Sequence, residues 1–182
     1  MKPFILVLFC LSMQMCSQVK QPVKSNAIKN SSSMENSSSK KENPYYSRTD
    51  RTKLNVPNSE WKKILDPEVY AVAREADTER PGTGKYNQFD ELGEYYCVVC
   101  GNHLFRSDSK FSSTCGWPSF FEQENKESIT FKPDNSYGMQ RIEANCGRCD
   151  SHLGHLFDDG PAPTGKRYCM NAISLDFIPE NQ

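Results

Sequence analysis

The chain has no excess of either charge: 22 Lys and Arg against 23 Asp and Glu leave a net −1, and no stretch joins dense basic residues to aromatics. That makes nucleic acid a poor partner. The apolar run at the N-terminus, from Phe4 to Leu11, is too short to cross a bilayer as a permanent helix and instead suits the core of a signal peptide behind Lys2. Strand patterns never alternate with long helical ones, which excludes a parallel sheet. At 182 residues and 36% hydrophobic content, the chain can build one ordinary globular domain but not two.

Residues 1–17 therefore read as a signal peptide or lipoprotein signal, with Cys16 as a lipid attachment point, although Gln14 and Met15 are larger than such cleavage sites usually accept. The expected location is exported: periplasmic or held at the membrane as a lipoprotein, with secretion as the alternative. Residues 18–55 are rich in Ser, Asn and Lys, as in "NSSSMENSSSKKEN", and carry too little apolar surface to repay ordering, so they read as a disordered tether. The folded domain is expected over 56–182.

Within it, "SEWKKIL" predicts a helix with Ser59 as N-cap and Trp61, Ile64 and Leu65 on one face. "DPEVYAVAREA" predicts a second, with Asp66 as cap, Pro67 at the first helical position and Val69, Val72, Ala73 and Ala76 recurring at helical spacing. After "RPGTGKY" the texture turns to short β-type runs separated by turn residues: "EYYCVVC", "SITFKP", "YGMQRIEANC" and "RYCMNAISLDFI". The body is expected to be mainly β and antiparallel. In the last run, period-two alternation puts Arg167, Cys169 and Asn171 on one face, followed there by Ile173, Leu175 and Phe177.

Eight cysteines remain to be sorted, and Cys10 and Cys16 belong to the export segment. Cys97 and Cys100 in "CVVC" and Cys146 and Cys149 in "CGRC" are two C-x-x-C pairs. Two thiolates three apart on a tight turn can both reach one tetrahedral zinc at about 2.3 Å, and two pairs complete a closed four-sulfur site. The 45 residues between the pairs mean that the metal would join distant segments. Disulfides are the rival reading in an exported chain. Cys115 in "STCGWPSFF" and Cys169 in "RYCMN" are left over, either as a structural bridge or as a pair cycling between thiol and disulfide.

The surroundings of these two favour reactivity. Arg167 on the Cys169 face would lower the thiol pKa, and Asn171 could hold a substrate or water. His152 and His155 in "HLGH" are two of three histidines in the chain, and either could deliver a proton near neutral pH. Trp117 reads either as core packing or as an aromatic wall for an apolar methyl group.

Together "YYCVVCGNHLFRSDSKF", "CGWPSFF" and "CGRCDSHLGHLFDDGPAPTGKRYCMNAISLDFIP" resemble the methionine sulfoxide reductase B family, over about Ser59 to Pro179. The resemblance implies two antiparallel β-sheets with small N-terminal helices, and reduction of the R epimer of methionine sulfoxide in proteins or peptides. It implies Cys169 as nucleophile, Cys115 as recycling cysteine, and His152, His155, Arg167 and Asn171 as further catalytic residues. It also implies Trp117 as the wall for the substrate methyl, Cys97, Cys100, Cys146 and Cys149 as ligands of a structural zinc, and a thioredoxin-like dithiol as reductant. The chain departs from the family pattern at Gly82, Thr114 and Ala172. Two readings from other classes stand beside it: a non-catalytic zinc-ribbon module, which would usually show a basic face, and a disulfide-stapled binding domain.

Overall fold

The computed structural model describes residues 42–180. The expected signal segment 1–17, with Cys10 and Cys16, and the tether as far as residue 41 lie outside the described residues.

Packing begins earlier than Val56. Residues 43–54 form an arm held by side chain and backbone alike: Asn43 Nδ2 donates to Val99 O (2.8 Å), Ser47 N to Cys100 O (3.0 Å) and Leu54 N to Arg148 O (2.7 Å). Arg148, only 3% exposed, donates in turn to the carbonyls of Tyr45 (3.0 Å) and Thr52 (3.2 Å) and pairs with Asp50 at 2.9 Å. A tether boundary at residue 55 is therefore too late. Composition underrates the arm because several of its anchors are peptide groups, which leave no mark on side-chain hydropathy, and few apolar side chains, Tyr45 and Leu54 among them, pack it against the core.

Helix α1 (Asn58–Ile64) buries Trp61 against the ring of Tyr45, 5.1 Å away edge-on. Its N-cap is Pro57, not Ser59: the Pro57 carbonyl accepts from the N–H groups of Glu60 and Trp61, starting the helix two residues sooner. Helix α2 (Pro67–Glu75) opens as expected, with Asp66 as N-cap and Pro67 first, and buries Val72 and Ala73. Ala76 leaves the helix as a left-handed C-cap (φ 57°).

Among the described residues nine strands follow: β1 (Gly93–Cys97), β2 (His103–Arg106), β3 (Lys110–Phe111), β4 (Ser119–Phe120), β5 (Ile129–Asp134), β6 (Arg141–Cys146), β7 (His152–Phe157), β8 (Arg167–Met170) and β9 (Leu175–Pro179). They form two sheets, β2-β1-β9 and β3-β4-β8-β7-β6-β5, and every strand pairing is antiparallel. The molecule is mainly β with two short leading helices, as the sequence predicted. The core sits where rings from both sheets meet: Phe105 of β2 stacks on Phe120 of β4 at 4.1 Å, and Tyr95 of β1 meets Phe120 edge-on at 4.9 Å.

The run from Arg167 to Ile178 is not one strand. It breaks after β8 into a 3₁₀ turn over Ala172–Ser174, and β9 then joins the other sheet. The break has a chemical cause, since the Glu79 carboxylate accepts the N–H groups of Ala172 (2.6 Å) and Ile173 (3.0 Å), removing them from any ladder. Ile173, Leu175 and Phe177 therefore do not extend the face of Cys169. The residues alternating with it, Tyr168 and Met170, are the buried ones.

Strand β7 was not predicted, because "HLGHLF" lacks a clean alternation. Leu153 is an extra residue in its pairing with β6, where Ala144 faces Gly154 and Asn145 faces His152. Gly154 takes φ 156°, and a Cβ there would lie 2.1 Å from the Cys169 carbonyl. The bulge lets two histidines three apart share one side of the sheet, their ring centroids 5.5 Å from each other.

Candidate active site and metal centre

The two C-x-x-C pairs lie on two copies of one turn. At the end of β1, Gly101 N donates to Cys97 O (2.8 Å) and Cys97 N to Asn102 O (2.8 Å); at the end of β6, Asp150 N donates to Cys146 O (2.9 Å) and Cys146 N to Ser151 O (2.8 Å). Gly101 (φ 77°) and Asp150 (φ 57°) make the matching left-handed corners. A side chain at Gly101 would also strike Ser47 O, 2.7 Å from its Cβ.

These turns bring Cys97, Cys100, Cys146 and Cys149 together, all buried, with every sulfur within 4.8 Å of the others. Cys97 Sγ lies 3.7 Å from Cys149 Sγ, and Cys100 Sγ 3.6 Å from Cys146 Sγ. Four sulfurs at about 2.3 Å from one tetrahedral zinc would stand about 3.8 Å apart, so the cluster fits that ion. Burial pushes the Cys97 thiol well up, while hydrogen bonds from Cys100 and its neighbours hold Cys149 well down. One divalent cation would replace that shared proton network with four thiolates.

The second cluster is half-open. Cys169 lies in β8 between Ser119 of β4 and His155 of β7, its direct partners in register. Cys115, on the loop joining β3 to β4, brings its sulfur to 3.4 Å from that of Cys169, two free thiols 54 positions apart. Cys169 borders a cavity of about 100 Å³ lined also by Thr78, Trp117, Arg141, His155 and Asn171. Larger clefts, of about 520 and 430 Å³, include no cysteine.

Burial and the neighbouring Cys115 push the Cys169 thiol up to about 12, and Arg167 only partly offsets them. This corrects the expectation of an Arg167-activated thiolate. The guanidinium is committed to Asp159 through two hydrogen bonds (2.8 and 2.9 Å) and lies over the Phe157 ring at 4.3 Å. At Cys115 burial acts in the same upward sense, but hydrogen bonds with Ser113 and Ser119 outweigh it and bring that thiol down to about 7. In the reduced pair, Cys115 is thus the more acidic member.

The histidines divide. His155 meets Asp134 through Nε2 (2.9 Å), which must carry the proton because a carboxylate accepts, leaving Nδ1 as a free acceptor. Burial holds His155 below the ordinary imidazole range against the pull of Asp134, so the ring is neutral at neutral pH. His152, 4% exposed, is tied through Nδ1 to Glu143 (2.7 Å), and its Nε2 has no partner. Asn171 donates from Nδ2 to Leu153 O (3.2 Å), and its Oδ1 accepts from Glu79 N (3.1 Å). Trp117 donates from Nε1 to Glu79 O at 3.2 Å.

Of the eleven predicted site residues, four form the closed cluster and Cys115, Trp117, His155 and Asn171 gather around Cys169, while His152 sits beside His155 and Arg167 turns to Asp159, neither of them lining the cavity. Glu79, Asp134, Arg141 and Glu143 went unnoticed. Arg141 and Glu143 left a signal, two charges alternating with Ile142 and Ala144 on a strand, and Asp134 pairs with Arg141 at 2.6 Å. Glu79 left none, since "TERPGTG" reads only as a break.

Residues 65–179 match the SelR domain family. Among similar curated proteins are three named peptide methionine sulfoxide reductase MsrB. That of Methanosarcina barkeri is 54% identical over 123 residues, covering 68% of this chain and 87% of the relative. That of Chromohalobacter salexigens is 53% identical over 128 residues (70% and 96%), and that of Pseudomonas putida 49% identical over 129 residues (71% and 97%). Matches of this identity across nearly the whole of each relative, on a fold whose four buried cysteines suit zinc, show that the chain belongs to the MsrB family of methionine sulfoxide reductases.

Proposed function

We propose that the chain reduces the R epimer of methionine sulfoxide in proteins or peptides, with Cys169 as the attacking thiol. Most support comes from one observation: Cys169 stands at a small cavity with Cys115 3.4 Å away and a neutral His155 directly opposite on the neighbouring strand. His155 Nδ1 takes the proton of Cys169 as its sulfur attacks the sulfoxide sulfur, and returns it to the oxygen, whose negative charge grows in the attack. His152, whose buried Nε2 has no partner and whose ring lies beside that of His155, is the second proton carrier. Trp117 receives the methyl group, Asn171 holds the polar side of the substrate, and Arg167 supplies a fixed positive field near both thiols.

The net first step converts the Cys169 thiol and the sulfoxide into a Cys169 sulfenic acid and a thioether. Cys115 attacks that sulfenic acid, water leaves, and a Cys115–Cys169 disulfide forms, which a thioredoxin-like dithiol reduces by exchange. The acidity of Cys115 suits this second attack. A zinc held by Cys97, Cys100, Cys146 and Cys149 would supply a structural cross-link, with no open coordination position for substrate. Export through residues 1–17, with or without a lipid on Cys16, completes the proposal.

The test is a stereospecific assay with dithiothreitol on peptides carrying R- or S-methionine sulfoxide. The expected result is turnover of the R form alone, abolished by Cys169→Ser. Equal reduction of both epimers, or full activity in Cys169→Ser, would overturn the assignment.

A further inference from the structure

We propose that Glu79 sets the width of the cavity between Trp117 and Asn171, and through it the preference for an S-methyl group over larger S-alkyl groups; this rests on Cys169 being the attacking thiol.

Glu79 touches both walls at once. Its carbonyl accepts from Trp117 Nε1 (3.2 Å), and its N–H donates to Asn171 Oδ1 (3.1 Å). One residue's backbone therefore spans from the aromatic wall to the amide wall. That backbone is itself held by the side chain, whose two oxygens accept from Ala172 N and Ile173 N at the turn that ends the Cys169 strand. Acceptance by an ionised group makes these the stronger kind of hydrogen bond.

The loop around Glu79 is closely fitted. A Cβ on Gly84 would lie 2.6 Å from Glu79 Oε1 and 2.6 Å from Ala172 Cβ, so the chain closes down on the carboxylate. Gly82 N donates to Gly116 O (2.7 Å), tying the same loop to the segment that carries Cys115 and Trp117. Without the carboxylate, residue 79 keeps only its N–H bond to Asn171 at the end of the Cys169 strand, and the spacer between Trp117 and Asn171 loosens. A cavity of about 100 Å³ has little room to spare, so a small widening changes which alkyl group fits. Glu79 reaches neither sulfur; it is a positioning residue.

The experiment compares kcat/KM of the full chain, Glu79→Gln and Glu79→Ala on otherwise identical peptides carrying R-methionine sulfoxide or R-ethionine sulfoxide. In the unaltered chain the methyl substrate should lead by roughly tenfold or more, the discrimination that one methylene supports. Glu79→Ala should lower methyl turnover by about 10- to 100-fold and shrink the methyl-to-ethyl ratio at least about fivefold. Glu79→Gln, which keeps one acceptor, should shrink it about twofold.

A loss of stability alone would lower both substrates together. An unchanged ratio in Glu79→Ala therefore overturns the proposal, and if that variant does not fold, an unchanged ratio in Glu79→Gln does so. An unaltered chain inactive on every sulfoxide would instead overturn the reading of Cys169.

Discussion

The six cysteines of the domain form two clusters of nearly equal spacing, with sulfurs 3.6 and 3.7 Å apart in one and 3.4 Å in the other, yet their surroundings are opposite. The four-sulfur cluster is buried on all sides, its turns repeat one backbone pattern, and an arm covers both corners. The two-sulfur cluster is half-buried, joins a loop cysteine to a strand cysteine, and Cys169 borders a cavity shared with His155, which is tied to Asp134. Proximity of thiols thus says little by itself. What separates a structural site from a reactive one is whether a position is left open and whether proton carriers surround it.

The strongest way to break this contrast is to disable the closed cluster. Cys146→Ser should lose the expected one zinc per chain and lower Tm by more than roughly 10 °C, because binding energy at such a site is folding energy. Cys169→Ser should leave both unchanged. Metal content and calorimetry check it, and a metal-free chain with native melting would erase the distinction.

The next perturbation divides the open cluster. Cys115→Ser should keep a single turnover per chain at a rate within about threefold of the unaltered protein, while thioredoxin-driven steady-state turnover falls by about 100-fold or more. Equal steady-state rates with thioredoxin would mean that Cys115 does not recycle the enzyme.

The smallest effect sharpens the assignment of protons. In reduced protein at pH 7.5, iodoacetamide should label Cys115 about tenfold faster than Cys169, and the Cys115 rate should rise with pH to a midpoint at about 7. Removing Cys115 takes away its upward push on Cys169, so the midpoint of Cys169 should fall in Cys115→Ser. Peptide mass mapping reads both. Faster labelling of Cys169 would reverse the order of acidities given above.

The clusters were legible in the sequence to different depths. C-x-x-C spacing announces a closed metal site because the turn itself is local, and both turns are where that spacing puts them. The open pair is assembled across β4, β7 and β8, so residue count could isolate Cys115 and Cys169 but not join them; the family resemblance supplied their pairing and substrate. Alternation placed Arg167 and Cys169 on one face but ran on past Asn171, because the Glu79 carboxylate that ends the strand lies 92 positions away from that residue. The histidine strand escaped for the opposite reason, since a local bulge at Leu153 and Gly154 spoils the period that would have revealed it.

The arm over the closed cluster has a practical consequence for anyone excising the domain. A fragment begun at Val56, the boundary that composition recommends, would deprive the Arg148 guanidinium of Tyr45 O, Thr52 O and Asp50, leave it the Cys100 carbonyl, and open the cysteine turns to solvent. Such a fragment loses several hydrogen bonds at once and should melt at a lower temperature than the longer chain. A piece that keeps these contacts must include residues 43–54, and protease nicking between Arg48 and Thr52 becomes a direct gauge of how firmly the cysteine turns are closed.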